Sequence, residues 1–142
     1  MKNRNQEMLK DMSEGKIPPP PIGELIGIRL VEVGKGRVVM EMDATEKHWN
    51  PQKTLHGGVI CDIADAAMGA SFFTTLQENE TYTTVDLNAK FLRPVISGKL
   101  RASANVVKRG KRLGYMECEV TNEDGDLVAK ANSSCIILNL VD

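Results

Sequence analysis

One segment limits what this chain can fold into. From residue 59 to about residue 77 there is no proline, and small or apolar side chains, Ala64, Ala66, Ala67, Met68 and Ala70 among them, occur nearly all the way round a helical projection. As a helix it would be roughly 30 Å long. A helix with one apolar stripe lies on a surface, whereas one apolar on most sides has to be enclosed. The rest of the chain must therefore supply a wrapping, and a curved sheet can approach closely over alanines.

The remaining sequence reads as strands. Residues 28–32 and 37–42 are strand-like, joined by a turn at Gly34-Lys35-Gly36. Residues 43–54 are polar and irregular, with Trp49-Asn50-Pro51 at the centre. After the helix, residues 83–92 alternate, placing Val85, Leu87, Ala89 and Phe91 on one face. Residues 99–108, 113–121 and 127–138 complete four strands, separated by the basic turn 108–112 and by Asn122-Glu123-Asp124-Gly125. Two strands, one long helix and four strands make an α+β plan, an antiparallel sheet around a single helix. The first 16 residues are polar, either a short helix or a mobile arm. Pro18-Pro19-Pro20-Pro21 cannot be helix interior and marks the entry to the fold. The expected organisation is an arm, 1–16, and one domain, 17–142, an ordinary length for a single domain.

Charge and cysteine content narrow the function. Eighteen Lys and Arg nearly cancel nineteen Asp and Glu, so binding nucleic acid through bulk positive charge is excluded. Aromatic residues are 4% of the chain, too few for a stacking platform. Cys61, Cys118 and Cys135 have no paired spacing and do not suggest a disulfide framework. With only His48 and His56 they do not suggest a zinc cluster either. The polar start offers no signal-peptide core, and no apolar run approaches a membrane span. The expectation is a soluble cytoplasmic protein, without metal or cofactor.

The chemistry is concentrated around the helix start. Asn50-Pro-Gln-Lys-Thr-Leu-His56-Gly57-Gly58 leads into Asp62 and Asp65. Glycines at a helix N-terminus leave backbone N–H groups free and add partial positive charge, a place for a phosphate or an oxyanion. A glycine-rich helix entry with no ligand has the same sequence. Asp65 lies in the most apolar part of the helix, where burial would raise its pKa toward general-base range. Asp62 lies one turn earlier, where the helix dipole favours an acid. Spacing alone does not choose between the two. His56 reads as a helix-start residue whose ring bonds backbone, and the cysteines as small buried apolar residues. Lys108-Arg109-Gly110-Lys111-Arg112 is either a solvated hairpin tip or a local phosphate clamp. Arg93, before Pro94, could also meet a phosphate.

Together, Asn50, His56-Gly57-Gly58, Asp65, Thr83-Thr84-Val85-Asp86-Leu87-Asn88, Phe91-Leu92-Arg93-Pro94 and Val107-Lys108-Arg109-Gly110-Lys111-Arg112 resemble the hotdog-fold acyl-CoA thioesterases of the phenylacetate-pathway (PaaI) type. The resemblance implies a curved sheet around a central helix and hydrolysis of acyl-CoA to free acid and CoA, the acyl group being aryl or medium- to long-chain. It implies that Asp65 activates water or attacks directly, and that Gly57 N–H binds the thioester carbonyl. Asn50 and His56 would order the loop, and Thr84 would help hold the water. Arg93, Lys108, Arg109, Lys111 and Arg112 would meet the CoA phosphates. It further implies a homodimer or homotetramer with sites across the interface, Asn50 and Gly57 from one chain and Asp65 and Thr84 from the other. CoA enters as part of the substrate. The alternative is a non-catalytic acyl-CoA-binding hotdog domain, such as a regulator's effector module. The helical DNA-binding domain that such regulators carry ahead of it does not fit in the roughly 20 preceding residues. The His and acid motif of hotdog dehydratases is absent from the sequence.

Overall fold

The structure, a computed structural model, describes residues 3–141. The long helix, α3, runs Gly57–Phe73. Its Ile63, Ala64, Ala67, Met68 and Phe72 are fully buried. Six strands form one antiparallel sheet around it: β1 (Arg29–Gly34), β2 (Arg37–Ala44), β3 (Glu80–Phe91), β4 (Gly98–Arg109), β5 (Leu113–Thr121) and β6 (Leu127–Asn139). Their order is β1-β2-β4-β5-β6-β3, so β1 and β3 are the two edges. Met42, Leu100, Met116, Val120 and Val128 of the sheet bury completely against the helix. This is the expected α+β hotdog plan, a curved sheet enclosing one helix.

The element ends differ from the sequence reading for local reasons. Helix α3 stops at Phe73, four residues short of the expected end. The hydroxyls of Ser71, Thr74 and Thr75 each donate to the carbonyl three residues back, which competes with continued helix. Helix α1 (Arg4–Ser13) and helix α2 (Pro21–Ile26) precede the sheet. Pro21 occupies the first position of α2, where its missing N–H costs nothing.

Helix α1 is held by tertiary bonds. Asn3 caps it by accepting from Gln6 N–H and also donates to Thr74 O; Asn5 donates to Phe73 O at 3.1 Å. The start of α1 is thereby tied to the C-terminal end of α3, and its buried Leu9 packs into the core. Among the described residues no helix is long and apolar enough to cross a membrane.

Candidate active site

The segment that enters α3 is ordered by its own side chains. Asn50 Oδ1 accepts from Gln52 N and Thr54 N at 3.0 and 3.1 Å, and its Nδ2 donates to Thr54 Oγ1 at 2.9 Å. Asn50 is spent on fixing this loop. His56 is the helix cap: its Nδ1 accepts from Gly58 N at 2.8 Å. That bond requires an unprotonated Nδ1, so in the neutral ring the proton is on Nε2.

Gly57 is the first residue of the helix. Among the described residues none accepts from its N–H, so this donor is free at the positive end of the dipole. A Cβ at this position would meet the Phe91 ring at 3.1 Å. Glycine is what lets the end of β3 lie over the helix start.

Two turns along, α3 carries the carboxylates. Asp62 is exposed and Asp65 is half-buried. Burial pushes the Asp65 carboxyl above its ordinary pKa, and the neighbouring Asp62 adds to the rise. A hydrogen bond from the Thr84 hydroxyl pulls the other way. Thr84 reaches Asp65 because β3 lies antiparallel over the helix. A bulge between Thr84 and Asp86 re-aims the strand there, with Asp86 Oδ1 accepting from Ser134 N at 2.8 Å. Thr84 Oγ1 also lies 3.8 Å from Cys135 Sγ. Cys118 and Cys135 are buried as expected and Cys61 is half-buried. All three thiols are pushed up by burial, Cys118 to about 12.

Two neighbours were not singled out from the sequence as site residues. Tyr82 stands on Phe72, ring centroids 5.7 Å apart and edge to face. Its hydroxyl lies 2.6 Å from where a Cβ of Gly69 would be, so Gly69 is the space it occupies. Burial, then Cys135 and Asp65, push this phenol to about 12, so it stays neutral beside the carboxylate. Phe91 is the second, through its cover over Gly57. The Tyr82 signal was its position one residue before the expected strand start.

The basic residues divide between the ends of α3. Arg93 follows Phe91 closely, at the Gly57 end, and pairs with Asp126 at 3.8 Å. The turn 108–112 lies at the opposite end. There Arg109 donates to Gly110 O and pairs with Glu80, whose carboxylate accepts from Gln77 N. Lys108, Lys111 and Arg112 are exposed and form no ion pair among the described residues.

Distances along the helix decide what one chain can do. Gly57 and Asp65 are eight residues apart, roughly 12 Å along the axis. A single carbonyl and its attacking water need both groups at about 3 Å. Within one chain the free Gly57 N–H and the Asp65 carboxylate are therefore too far apart to meet at one such carbonyl.

Comparison with known proteins identifies the family. Residues 52–129 match the thioesterase superfamily model. The chain is 31% identical over 105 residues to a 1,4-dihydroxy-2-naphthoyl-CoA hydrolase from Listeria monocytogenes, covering 74% of this chain and 85% of that protein. It is 29% identical to human acyl-coenzyme A thioesterase 13, covering 88% of each. The crystal structure of a thioesterase described as phenylacetic acid degradation-related, from Ralstonia eutropha, superposes with a TM-score of 0.81 at 28% identity, covering 90% of this chain and 98% of that one. The family match spans α3, strands β3, β4 and β5 and the start of β6, and on these grounds the chain belongs to the thioesterase superfamily, within the hotdog fold and with PaaI-type relatives.

Proposed function

We propose that this acyl-CoA thioesterase assembles each active site from two copies of the chain, Gly57 of one facing Asp65 and Thr84 of the other. The observation that carries the reading is the roughly 12 Å between Gly57 and Asp65 in one chain. A second copy supplies the missing half if β3 pairs with its own symmetry mate. That strand is a 12-residue edge, and its Val85, Leu87 and Phe91 are exposed. A bare apolar edge of this length is a pairing surface. Isologous antiparallel pairing brings the Glu80 end of one copy beside the Phe91 end of the other. The partner's cationic turn then comes to the end where Gly57 and Arg93 stand.

In this arrangement the Gly57 N–H receives the thioester carbonyl as charge develops on oxygen, an interaction worth about 3 kcal/mol in the transition state. Asp65, its pKa raised by burial toward the general-base range, takes a proton from water, and the Thr84 hydroxyl holds that carboxylate in place. Hydroxide equivalent adds to the carbonyl carbon; collapse expels CoA thiolate and leaves the free acid. His56 and Asn50 act on the loop geometry. Lys108, Lys111, Arg112 and Arg93 meet the CoA phosphates, whereas Arg109 is held by Glu80. Water and protein groups suffice for these steps. Three free cysteines fit a reducing, cytoplasmic compartment.

The test is turnover of a panel of acyl-CoA substrates by the wild type, Asp65→Asn and Asp62→Asn. Asp65→Asn is expected to lose at least about 10²-fold in kcat with the fold intact, and Asp62→Asn to retain most of it. The reverse order would move the catalytic role to Asp62. Binding without turnover by the wild type would favour the non-catalytic module.

A further inference from the structure

A mostly apolar cavity of about 650 Å³ opens beside the Asp65 carboxylate. It runs along one stripe of α3, past Asp62, Asp65, Ala66, Ala70 and Phe73. These positions share a helix face, and the two alanines leave the space open. The opposite wall is the N-terminal segment: Leu9, Met12 and Ser13 of α1, then Ile22 and Gly23 of α2. Met40 of β2 and Tyr82 of β3 line its flanks. Helix α1 starts against the C-terminal end of α3 and runs back along it, so Leu9 belongs to the deep end and Ser13 to the carboxylate end.

We propose that α1 and α2 are the outer wall of an acyl channel that selects an unbranched aliphatic acyl group of about eight to ten carbons. The inference rests on the thioesterase reading for its mouth, because Asp65 is where the thioester must stand. From Asp65 to Phe73 is eight residues, roughly 12 Å of helix. Bonds of about 1.5 Å at tetrahedral angles advance roughly 1.25 Å per carbon, so that length takes about nine carbons. The volume falls within the range of small-molecule sites, about 300–1,000 Å³.

The chemistry of the walls favours a chain over a hydroxylated ring. Beyond the carboxylates the polar groups are few. Ser13 is at the mouth and its hydroxyl already donates to Lys10 O at 2.7 Å. Arg29 is paired with Asp43 at 3.1 Å. The Tyr82 hydroxyl lies over Gly69, near Asp65. A polar ring substituent pushed to Leu9 and Phe73 would lose water and gain no partner. Each methylene placed there gains from burial instead.

Equilibrium binding of non-hydrolysable S-alkyl-CoA thioethers to the full chain tests this without turnover. Wild type is expected to bind the decyl compound about tenfold or more tighter than the butyl compound, with no further gain for hexadecyl. Ala70→Leu and Leu9→Phe, which fill the deep end from opposite walls, are expected to collapse the decyl-to-butyl ratio to about one. Thermal melts identify which variants are folded. Equal wild-type affinity for butyl and decyl would overturn the proposal, as would a decyl advantage retained in either folded variant. Because the readout is binding, it can fail while Asp65→Asn still abolishes hydrolysis, and can succeed if that catalytic assignment fails.

Discussion

The two edges of the sheet solve the same problem in opposite ways. Strand β1 has six residues, and its outer face is charged. Arg29 pairs with Asp43 at 3.1 Å, and Glu32 pairs with Arg101 and Arg37. Helix α1 packs beside it. This edge is short, charged and covered within the chain, as edges that must not pair usually are. Strand β3 is twice as long, has no covering element on its outer edge among the described residues, and exposes Val85, Leu87 and Phe91. It also carries Thr84, touches Asp65 and covers Gly57. The edge left open is the one whose Thr84 bonds Asp65 and whose Phe91 lies over Gly57.

Charging the open edge has the largest expected effect. Val85→Lys combined with Leu87→Lys is expected to convert the dimer to monomer in sedimentation. Turnover falls by about 10²-fold or more with it, since the half-sites separate. A charge change at the other edge, Glu32→Lys, at an exposed position outside the cavity lining, is expected to alter neither. If both edges respond alike, the contrast between them is not functional.

A smaller effect is expected where β3 meets the helix start. Gly57→Ala puts a methyl within 3.1 Å of the Phe91 ring, so the ring or the helix start must shift. Loss of about tenfold in kcat is expected, with partial recovery in Gly57→Ala/Phe91→Leu, where the space is restored. No recovery in the double variant would separate the donor's role from Phe91.

The carboxylate at the open edge has a stability cost. Burial and Asp62 raise the folded-state pKa of Asp65 above its ordinary 3.8. The protonated form is therefore the one favoured by folding. Its contribution is fully present below the unfolded pKa and is lost as pH rises through the folded value. Asp65→Asn is then expected to raise Tm at pH 7, by a few degrees at most, and the gain should vanish in acid below the ordinary carboxylate pKa. A variant less stable than wild type at pH 7 would mean that the Thr84 bond outweighs burial.

The smallest expected effect concerns the cationic turn. Lys111→Gln/Arg112→Gln is expected to raise KM for acyl-CoA by about threefold and flatten its salt dependence, with kcat unchanged. A short thioester without the nucleotide should not distinguish variant from wild type. Equal losses on both substrates would assign the turn a folding role.

What was legible in the sequence follows from which signals are local. The enclosed helix was legible because its apolar character goes all the way round, and the strands because they alternate. The face Val85, Leu87, Ala89 and Phe91 was legible as a face, yet not its destination. Alternation states that a side is apolar, not that this chain covers it. The pattern of residues 4–13 does not distinguish a helix from an arm, because what fixes α1 lies outside it. Asn3 and Asn5 bond to carbonyls at the end of α3, about seventy positions away. At the site, Asp65 was marked by its alanine neighbours, and His56 by its place at the cap. The Asp65–Thr84 bond depended on the β3 register and its bulge, and Tyr82 on a strand that begins at Glu80. Those are consequences of pairing with β6, which no local window contains.

The central claim is that each site is shared, and protomer mixing tests it most directly. Gly57→Val chains keep Asp65, and Asp65→Asn chains keep Gly57; each homodimer is expected to be inactive. After random exchange about half of the dimers are hybrids, and each hybrid has one intact site out of two. Recovery of about a quarter of wild-type turnover is therefore expected, rising in step with the hybrid fraction measured by native mass spectrometry. Hybrids that form in that proportion and hydrolyse no acyl-CoA would contradict a site built from two chains.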